Sequence, residues 1–160
     1  MAQIDCHIIF TESMDREDWL ERCVASLEHP DVVVHVHRFA NADEQATPRR
    51  VRIHNANDPE RWCMFADPDD YAVESGYSSF IEHLKTFEGD VTHPQEMWEP
   101  AGTVCSRPHH LVATRGLRVP EDLSSTFNFY FDRESVLFPQ VAYAWVEHGQ
   151  NSRGGKKWRA

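Results

Sequence analysis

The sequence has 160 residues, with 16 Lys or Arg against 26 Asp or Glu, and so a net charge of −10. This negative charge argues against extended nucleic-acid binding, because such binding needs clustered basic side chains. No apolar run approaches the roughly 18 residues of a membrane span, and the start lacks the features of a signal peptide. We therefore expect a cytoplasmic protein with one domain over residues 1–151 and a flexible basic tail over residues 152–160.

The first part of the chain alternates strand and helix patterns. Ile4 to Phe10 has the short apolar run of a strand. The stretch from Asp15 to Leu27 predicts an amphipathic helix, which Asp15 would cap and Pro30 would stop. The valine-rich stretch from Asp31 to His37 predicts a second strand. Because a helix joins the two strands, we expect them to be parallel neighbours.

The alternation continues as far as residue 87. Pro48 to Asn55 predicts a short helix, Trp62 to Ala66 a strand, and Ala72 to Phe87 an amphipathic helix. This order predicts an α/β fold with an open sheet. In such sheets, ligands bind beyond the carboxyl ends of the strands, which is where Asp67-Pro68-Asp69-Asp70 falls.

The remainder of the chain is less regular. Glu88 to Pro108 is expected to be mostly loop, because three prolines interrupt it. His110 to Arg115 predicts a strand, Glu121 to Asp132 a helix, and Gln140 to Glu147 a last strand. Among the ten histidines, the pairs His35/His37 and His109/His110 lack zinc-like partners at motif spacing, so surface or hydrogen-bonded histidines are expected.

The acidic tetrad after the third predicted strand has two interpretations. Asp-Pro-Asp-Asp is good turn chemistry, and Asp70 could simply cap the next helix. Alternatively, Asp67 and Asp69 would project on one side of an extended stretch and hold a hard cation such as Mg²⁺ or Mn²⁺, which takes one or two carboxylates together with phosphate oxygens. The tetrad alone favours the turn.

Four segments in order resemble the family-2-type glycosyltransferases, which have the GT-A fold. The first is a strand and loop followed by Arg16 and a helix that ends in Cys23-Val24-Ala25-Ser26-Leu27. The second is the strand that leads into Asp67-Pro68-Asp69-Asp70. The third is the pair Glu121-Asp122, and the fourth is the aromatic strand that reaches His148. The resemblance implies a single GT-A-like domain with a mostly parallel, mixed sheet.

The resemblance also implies roles for individual residues. Asp67 would contact the ribose or the metal, Asp69 would bind the metal on the donor diphosphate, and His148 would help to hold it. Asp122 would be the general base of an inverting transfer from a UDP- or GDP-sugar. Further residues are implied near the donor: Thr11, Glu12 and Arg16 at the nucleotide, and Asn41 or Asp43 in place of the family's acidic residue after the second strand.

Some interpretations remain open at this point. Arg49, Arg50 and Arg52 form a basic cluster from which one side chain could reach the diphosphate, although a solvated helix face also explains them. Pro120 before Glu121-Asp122 is a normal helix entry, and a structural role accounts for that pair as well as catalysis does. The alternatives to a glycosyltransferase are a nucleotidyltransferase of similar fold and a non-catalytic binding protein. The acceptor is not identified by the sequence.

Overall fold

A computed structural model describes residues 3–41, 46–122 and 133–148. Within these ranges the chain forms three helices and eight strands. The helices are α1 (Glu17–Leu27), α2 (Ala46–Ala56) and α3 (Glu74–Thr86). The strands are β1 (Ile4–Thr11), β2 (Val32–Phe39), β3 (Trp62–Ala66), β4 (Tyr71–Ala72), β5 (Val91–Glu99), β6 (Thr103–Cys105), β7 (Ala113–Thr114) and β8 (Val136–Val146).

All eight strands belong to one mixed sheet. Its order is β2-β1-β3-β7-β5-β8-β4, and β6 pairs with β5. Strands β2, β1 and β3 are parallel, which confirms the relation predicted for the first two strands. Strand β7 is antiparallel to both β3 and β5, whereas β8 lies parallel to β5 and antiparallel to β4. The mixed α/β sheet flanked by helices confirms the predicted fold class.

The helices cover the sheet on both faces. On one face, α1 and α3 pack against the apolar side chains of β1 and β3, such as Phe10 and Met64, in a continuous buried core. On the other face, Val51 of α2 packs in a smaller cluster with Val91, Val112 and Val119. The alternation of side chains along each strand separates these two cores. The carboxyl ends of β1 and β3 therefore form an edge between the two layers.

The region expected to be loop contains the nine-residue strand β5. Pro94 lies inside this strand, at the point where the register with β8 shifts. A proline is tolerated there because an irregularity in the ladder does not need its missing N–H. The last strand is also longer than predicted, since β8 begins at Val136. Conversely, the strand predicted over His110–Arg115 shrinks to Ala113–Thr114.

Two predicted helix caps are wrong. Helix α1 begins after Arg16, and the Asp15 carboxylate instead accepts the backbone N–H of Thr11 at 2.7 Å. Helix α3 begins after Val73, because Tyr71 and Ala72 pair with β8 as a short strand. Asp70 therefore does not cap α3.

Some predictions fall outside the described residues: the alternative donor contact Asp43, the helix beyond Asp122, and the basic tail. Over the ranges that are described, no helix is long and apolar enough to cross a membrane. His35 and His37 are hydrogen-bonded as predicted, to Asp5 at 2.8 Å and to His7 at 3.0 Å respectively.

Candidate donor and metal site

The acidic tetrad leaves β3 at the carboxyl edge of the parallel strands. It forms a turn in which the backbone N–H of Asp70 donates to the carbonyl of Asp67 at 3.1 Å. The stretch is therefore not extended, and the carboxylates of Asp67 and Asp69 have different partners. Whether each carboxylate can bind a cation therefore depends on its own partners.

Asp67 is held at both carboxylate oxygens. Arg50 of α2 donates to Oδ1 at 3.1 Å, and His110 Nε2 lies 2.9 Å from Oδ2. About a third of the Asp67 side chain remains exposed (35%). Burial opposes ionisation, but His110 and Arg50 outweigh it and hold the pKa of Asp67 well below its usual range. Asp67 is thus a fixed, charged carboxylate with one side open to solvent.

His110 lies at the centre of a buried group of carboxylates. Its Nδ1 is 2.6 Å from Glu96 of β5, and the other oxygen of Glu96 is 2.9 Å from His109 Nδ1. Burial disfavours a charged imidazole, yet Glu96 and Asp67 raise the pKa of His110 well above its usual value. The expectation of hydrogen-bonded histidines is confirmed for this pair, although His110 is buried rather than at the surface.

Asp70 is fully buried and tied to β8. The Tyr143 hydroxyl donates to Asp70 Oδ2 at 2.7 Å, and the backbone N–H of Val146 donates to Oδ1 at 2.9 Å. The same hydroxyl accepts the backbone N–H of Asp67 at 2.8 Å. Burial, together with the charges of Asp69 and Asp67, raises the pKa of Asp70 well above its usual value despite the opposing effect of His110. Asp70 therefore anchors the turn from inside.

Asp69 lies on the outer side of the turn. Its Oδ2 is 2.8 Å from His148 Nε2, and the two side chains are 16% and 18% exposed. The imidazole of His148 stacks on Trp19 of α1, with ring centroids 4.4 Å apart. The guanidinium of Arg16 also lies over the Trp19 ring, 4.8 Å from its centroid. Burial and the charge of Asp67 raise the pKa of Asp69, while His148 opposes the shift.

The end of β1 adds a polar group next to the turn. The buried guanidinium of Arg49 donates to the Thr11 hydroxyl at 3.2 Å and lies over the ring of Phe39. Burial, with the nearby charges of Asp69 and Asp67, raises the pKa of Asp15 to about 6 against the opposing Thr11 hydrogen bond. Of the basic cluster on α2, Arg50 contacts the acidic turn, whereas Arg49 faces Thr11.

The remaining predicted site residues are spread further apart. Glu12 and Asn41 are exposed where β1 and β2 end, at the same edge of the sheet as the turn. Asp122 is exposed in a turn three residues after Val119, whose backbone N–H donates to Asn55 at 2.9 Å. Asn55 is five residues after Arg50 on α2, which corresponds to about 7.5 Å along the helix axis. The structure thus brings Asp69 and His148 into contact on the turn that carries Asp67, and the described hydrogen bonds and ion pairs include none between Asp122 and this group.

Several members of the site have no local sequence signal. Glu96 lies in a segment interpreted as loop, and Tyr143 is one aromatic residue among several in its strand. The adjacent pair His109-His110 was the one available hint. Because the hydrogen-bond partners of Glu96 and Tyr143 are 13 to 76 residues away in the chain, only the folded sheet reveals them.

The chemistry of these side chains suits a cation. Asp67, Asp70 and His110 bring ligand atoms within 4.8 Å of one another, and so do Glu96, His109 and His110. Carboxylate oxygens with one imidazole suit Mn²⁺ or Mg²⁺. Asp67 is the most accessible of these carboxylates at 35% exposed, followed by Asp69 at 16%, while Asp70 and Glu96 are buried and hydrogen-bonded inside the protein.

Solved structures with this fold include those of S. aureus TarS. The first has a TM-score of 0.63 at 14% identity and covers 92% of this chain and 37% of TarS. TarS 1-349 in complex with UDP gives 0.59 at 12% identity, covering 92% of this chain and 61% of that one. The complex with UDP-GlcNAc gives 0.61 at 13% identity, covering 91% and 59%. The chain spans less than two thirds of the length of these structures.

No protein-family model and no curated protein matches the sequence. Identity of 12% to 14% shows the fold and not the activity. Together with the mixed sheet and its flanking helices, the likeness shows that the described residues form a single α/β domain with a GT-A-like fold.

Proposed function

We propose that the protein is a metal-dependent glycosyltransferase of the family-2 type that uses a UDP- or GDP-sugar. The observation that carries this proposal is the pair Asp67 and Asp69 at the carboxyl edge of the parallel strands, with Arg50 and His148 beside them. The TarS structures with UDP and UDP-GlcNAc support the choice of donor class, because they share this fold.

The residues present fit a divalent cation of the Mn²⁺ or Mg²⁺ type. Asp69 and His148 would hold it, with Asp67 at the ribose or at the metal. When bound, the ion would neutralise the charge that develops on the departing nucleoside diphosphate. Arg50 keeps Asp67 in place from the helix side, and Arg49 places a buried positive charge next to Thr11, where the nucleotide is expected.

The transfer itself would be one displacement with inversion. The acceptor oxygen would attack the anomeric carbon while the bond from that carbon to the phosphate oxygen breaks. Asp122 would accept the proton of the acceptor hydroxyl. Asp122 is exposed, and this role requires the acceptor hydroxyl to lie within hydrogen-bond reach of its carboxylate when the donor is bound at the acidic turn.

Calorimetric titration of UDP- and GDP-sugars, with and without Mn²⁺, tests donor binding. We expect Asp69→Asn to lose metal-dependent binding by more than about 100-fold, or roughly 3 kcal/mol, without loss of the fold. Asp90→Asn is the matched control, since Asp90 is exposed next to Val91, at the opposite edge of the sheet. Metal-dependent binding that survives in Asp69→Asn contradicts the assignment.

Catalysis is tested separately through Asp122→Asn. This variant is expected to bind the donor like the wild type and to lose the metal-dependent release of UDP or GDP. Because Asp122 is exposed and none of the described hydrogen bonds or ion pairs joins it to the acidic turn, the second candidate is a non-catalytic nucleotide-sugar-binding protein. That candidate predicts donor binding in the wild type with no release of nucleotide on any acceptor. A nucleotidyltransferase would instead bind a nucleoside triphosphate in preference to a nucleotide sugar.

A further inference from the structure

A row of hydrogen-bonded side chains leads from Asp67 into the protein. His110 bridges Asp67 and Glu96 at 2.9 and 2.6 Å, and Glu96 continues to His109 at 2.9 Å. The members come from three separate places: the end of β3, strand β5, and the segment before β7. The row therefore exists only in the folded sheet, and it ends at the one carboxylate that is open to solvent.

The inner members of this row are out of reach of a substrate. The side chains of His110 and Glu96 are each 2% exposed, compared with 35% for Asp67. Asp67 is the most exposed member of the row, so His110 and Glu96 are placed to act on a bound donor through its carboxylate. Each oxygen of a carboxylate has two lone pairs, so Asp67 retains accepting capacity toward the open side after bonding His110 and Arg50.

His110 itself is held on all sides. Its ring stacks on Tyr143 with centroids 4.7 Å apart. Leu111, the next residue, has a φ of 51°, which is uncommon for a leucine, and its backbone N–H donates to the carbonyl of Phe65 at 3.1 Å. A leucine keeps this left-handed conformation only where its surroundings impose it. The backbone is thus constrained to present His110 at Asp67.

Stability alone does not account for this arrangement. Burying charged groups is expensive, and an apolar replacement of similar volume for a buried ion pair is often neutral or stabilising. What such a network provides is a fixed orientation. A ligand residue held by a further carboxylate–histidine pair is oriented more sharply than one held by solvent.

We propose that Glu96 and His110 are positioning residues, which orient the Asp67 carboxylate toward the donor and its metal ion. This inference rests on the proposed function. It adds two buried residues to the donor site, one of which, Glu96, has no sequence motif. His109 supports Glu96 from the half-buried end of the row.

The test is a double-mutant cycle between Glu96→Gln and Asp67→Asn. Donor affinity is measured by calorimetry with Mn²⁺ and UDP- or GDP-sugars. Alone, Glu96→Gln is expected to weaken binding about 10- to 100-fold, the range seen for residues that orient metal ligands. In the Asp67→Asn background it is expected to change binding by less than about twofold, because its target is gone.

The matched control is His93→Gln. His93 is a buried residue of the same strand, bonded to Ser135 and Ser106, and its loss is expected to change stability but not donor affinity. If Glu96→Gln does not fold, the half-buried His109→Gln tests the same row, with a smaller loss and the same non-additivity. Melting curves show which variants are folded.

The outcomes are distinct. A wild-type protein that binds no donor overturns the proposed function, and this inference with it. Wild-type binding with an unchanged affinity in Glu96→Gln overturns the inference alone. Losses in Glu96→Gln and Asp67→Asn that simply add also overturn it, because they indicate a general structural effect rather than action through Asp67.

Discussion

The two carboxylates Asp67 and Asp69 are two residues apart, yet the protein holds them by different means. Asp67 is fixed by the buried His110 and by Arg50. Asp69 is paired with His148, which is partly exposed and stacks on Trp19 at the surface of α1. The orientation of Asp67 is therefore fixed by a residue of the buried core together with Arg50, whereas that of Asp69 depends on His148 and Trp19, which pack at the edge of the core.

The same difference appears in their proton affinities. His110 and Arg50 lower the pKa of Asp67 against the effect of burial, whereas burial and the charge of Asp67 raise the pKa of Asp69. Asp67 keeps its charge without a ligand. A bound cation would stabilise the ionised form of Asp69, which burial and the charge of Asp67 disfavour in its absence. We infer that the first positions a ligand and the second responds to it.

The largest expected effect in this comparison comes from Tyr143→Phe, which removes hydrogen bonds on the buried side of the acidic turn. The hydroxyl that joins Asp70 to the Asp67 backbone is lost, and both partners are left inside the protein. We expect the free energy of unfolding to fall by about 1–3 kcal/mol, measured by urea denaturation.

The control for this change is Tyr71→Phe. The Tyr71 hydroxyl bonds Glu99 in a half-buried position that water reaches, so a smaller loss is expected. Equal losses in the two variants would contradict the view that the inner side of the turn is the rigid one.

An intermediate effect is expected from Trp19→Leu, which removes the ring under His148. The Asp69–His148 pair keeps its chemistry but loses its support. An aromatic stack is worth about 0.5–1.5 kcal/mol, so Mn²⁺-dependent donor affinity is expected to fall about 2- to 10-fold in calorimetry. Trp19→Phe retains a ring and is expected to recover most of the affinity. An unchanged affinity in Trp19→Leu would show that His148 needs no support from α1.

The smallest effect is expected from Asp15→Asn, read through its pH dependence. With a pKa of about 6, Asp15 gains a negative charge near the turn as the pH rises from 5 to 7, so Mn²⁺ affinity is expected to increase over that range. The variant should flatten this increase while its amide oxygen still accepts the Thr11 N–H. An unaltered slope would exclude Asp15 as a source of the pH dependence.

The same substitution has a consequence for stability with the opposite sign. A carboxyl group whose pKa is higher in the folded than in the unfolded protein destabilises the fold when it is ionised. Its ordinary pKa is 3.8, so this penalty disappears as the pH falls from above 6 toward 3.8. Asp15→Asn is therefore expected to increase the free energy of unfolding at pH 7, with little difference from the wild type near pH 4.

The parallel half of the fold could be predicted because its signals are local. Short apolar runs mark β1 and β3, which are buried at nearly every position, and the helical pattern between strands implies parallel pairing. The position of Asp67 and Asp69 at the sheet edge follows from the same reasoning. Pro94 and Asp70 could not be interpreted this way, since one depends on a register shift with β8 and the other on a burial that β8 creates.

From the residues alone, the site could be predicted only where its charged residues are close in sequence, as Asp67 and Asp69 are. His148 was anticipated through the resemblance, and it does lie beside Asp69. Glu96 and Tyr143 could not be anticipated, because the sequence does not show whether a single carboxylate or hydroxyl faces solvent or a buried partner. Their roles come from pairing between distant strands, which a single sequence does not display.

Strand β8 is inserted between β5 and β4, and it is made late. Asp70 and its partner Val146 are 76 residues apart, so at roughly 5–20 residues per second the turn leaves the ribosome about 4–15 s before its anchor. During that interval Asp70 has no strand to bury it, and the acidic turn stays hydrated. Assembly of the donor edge therefore has to wait until β8 has been synthesised.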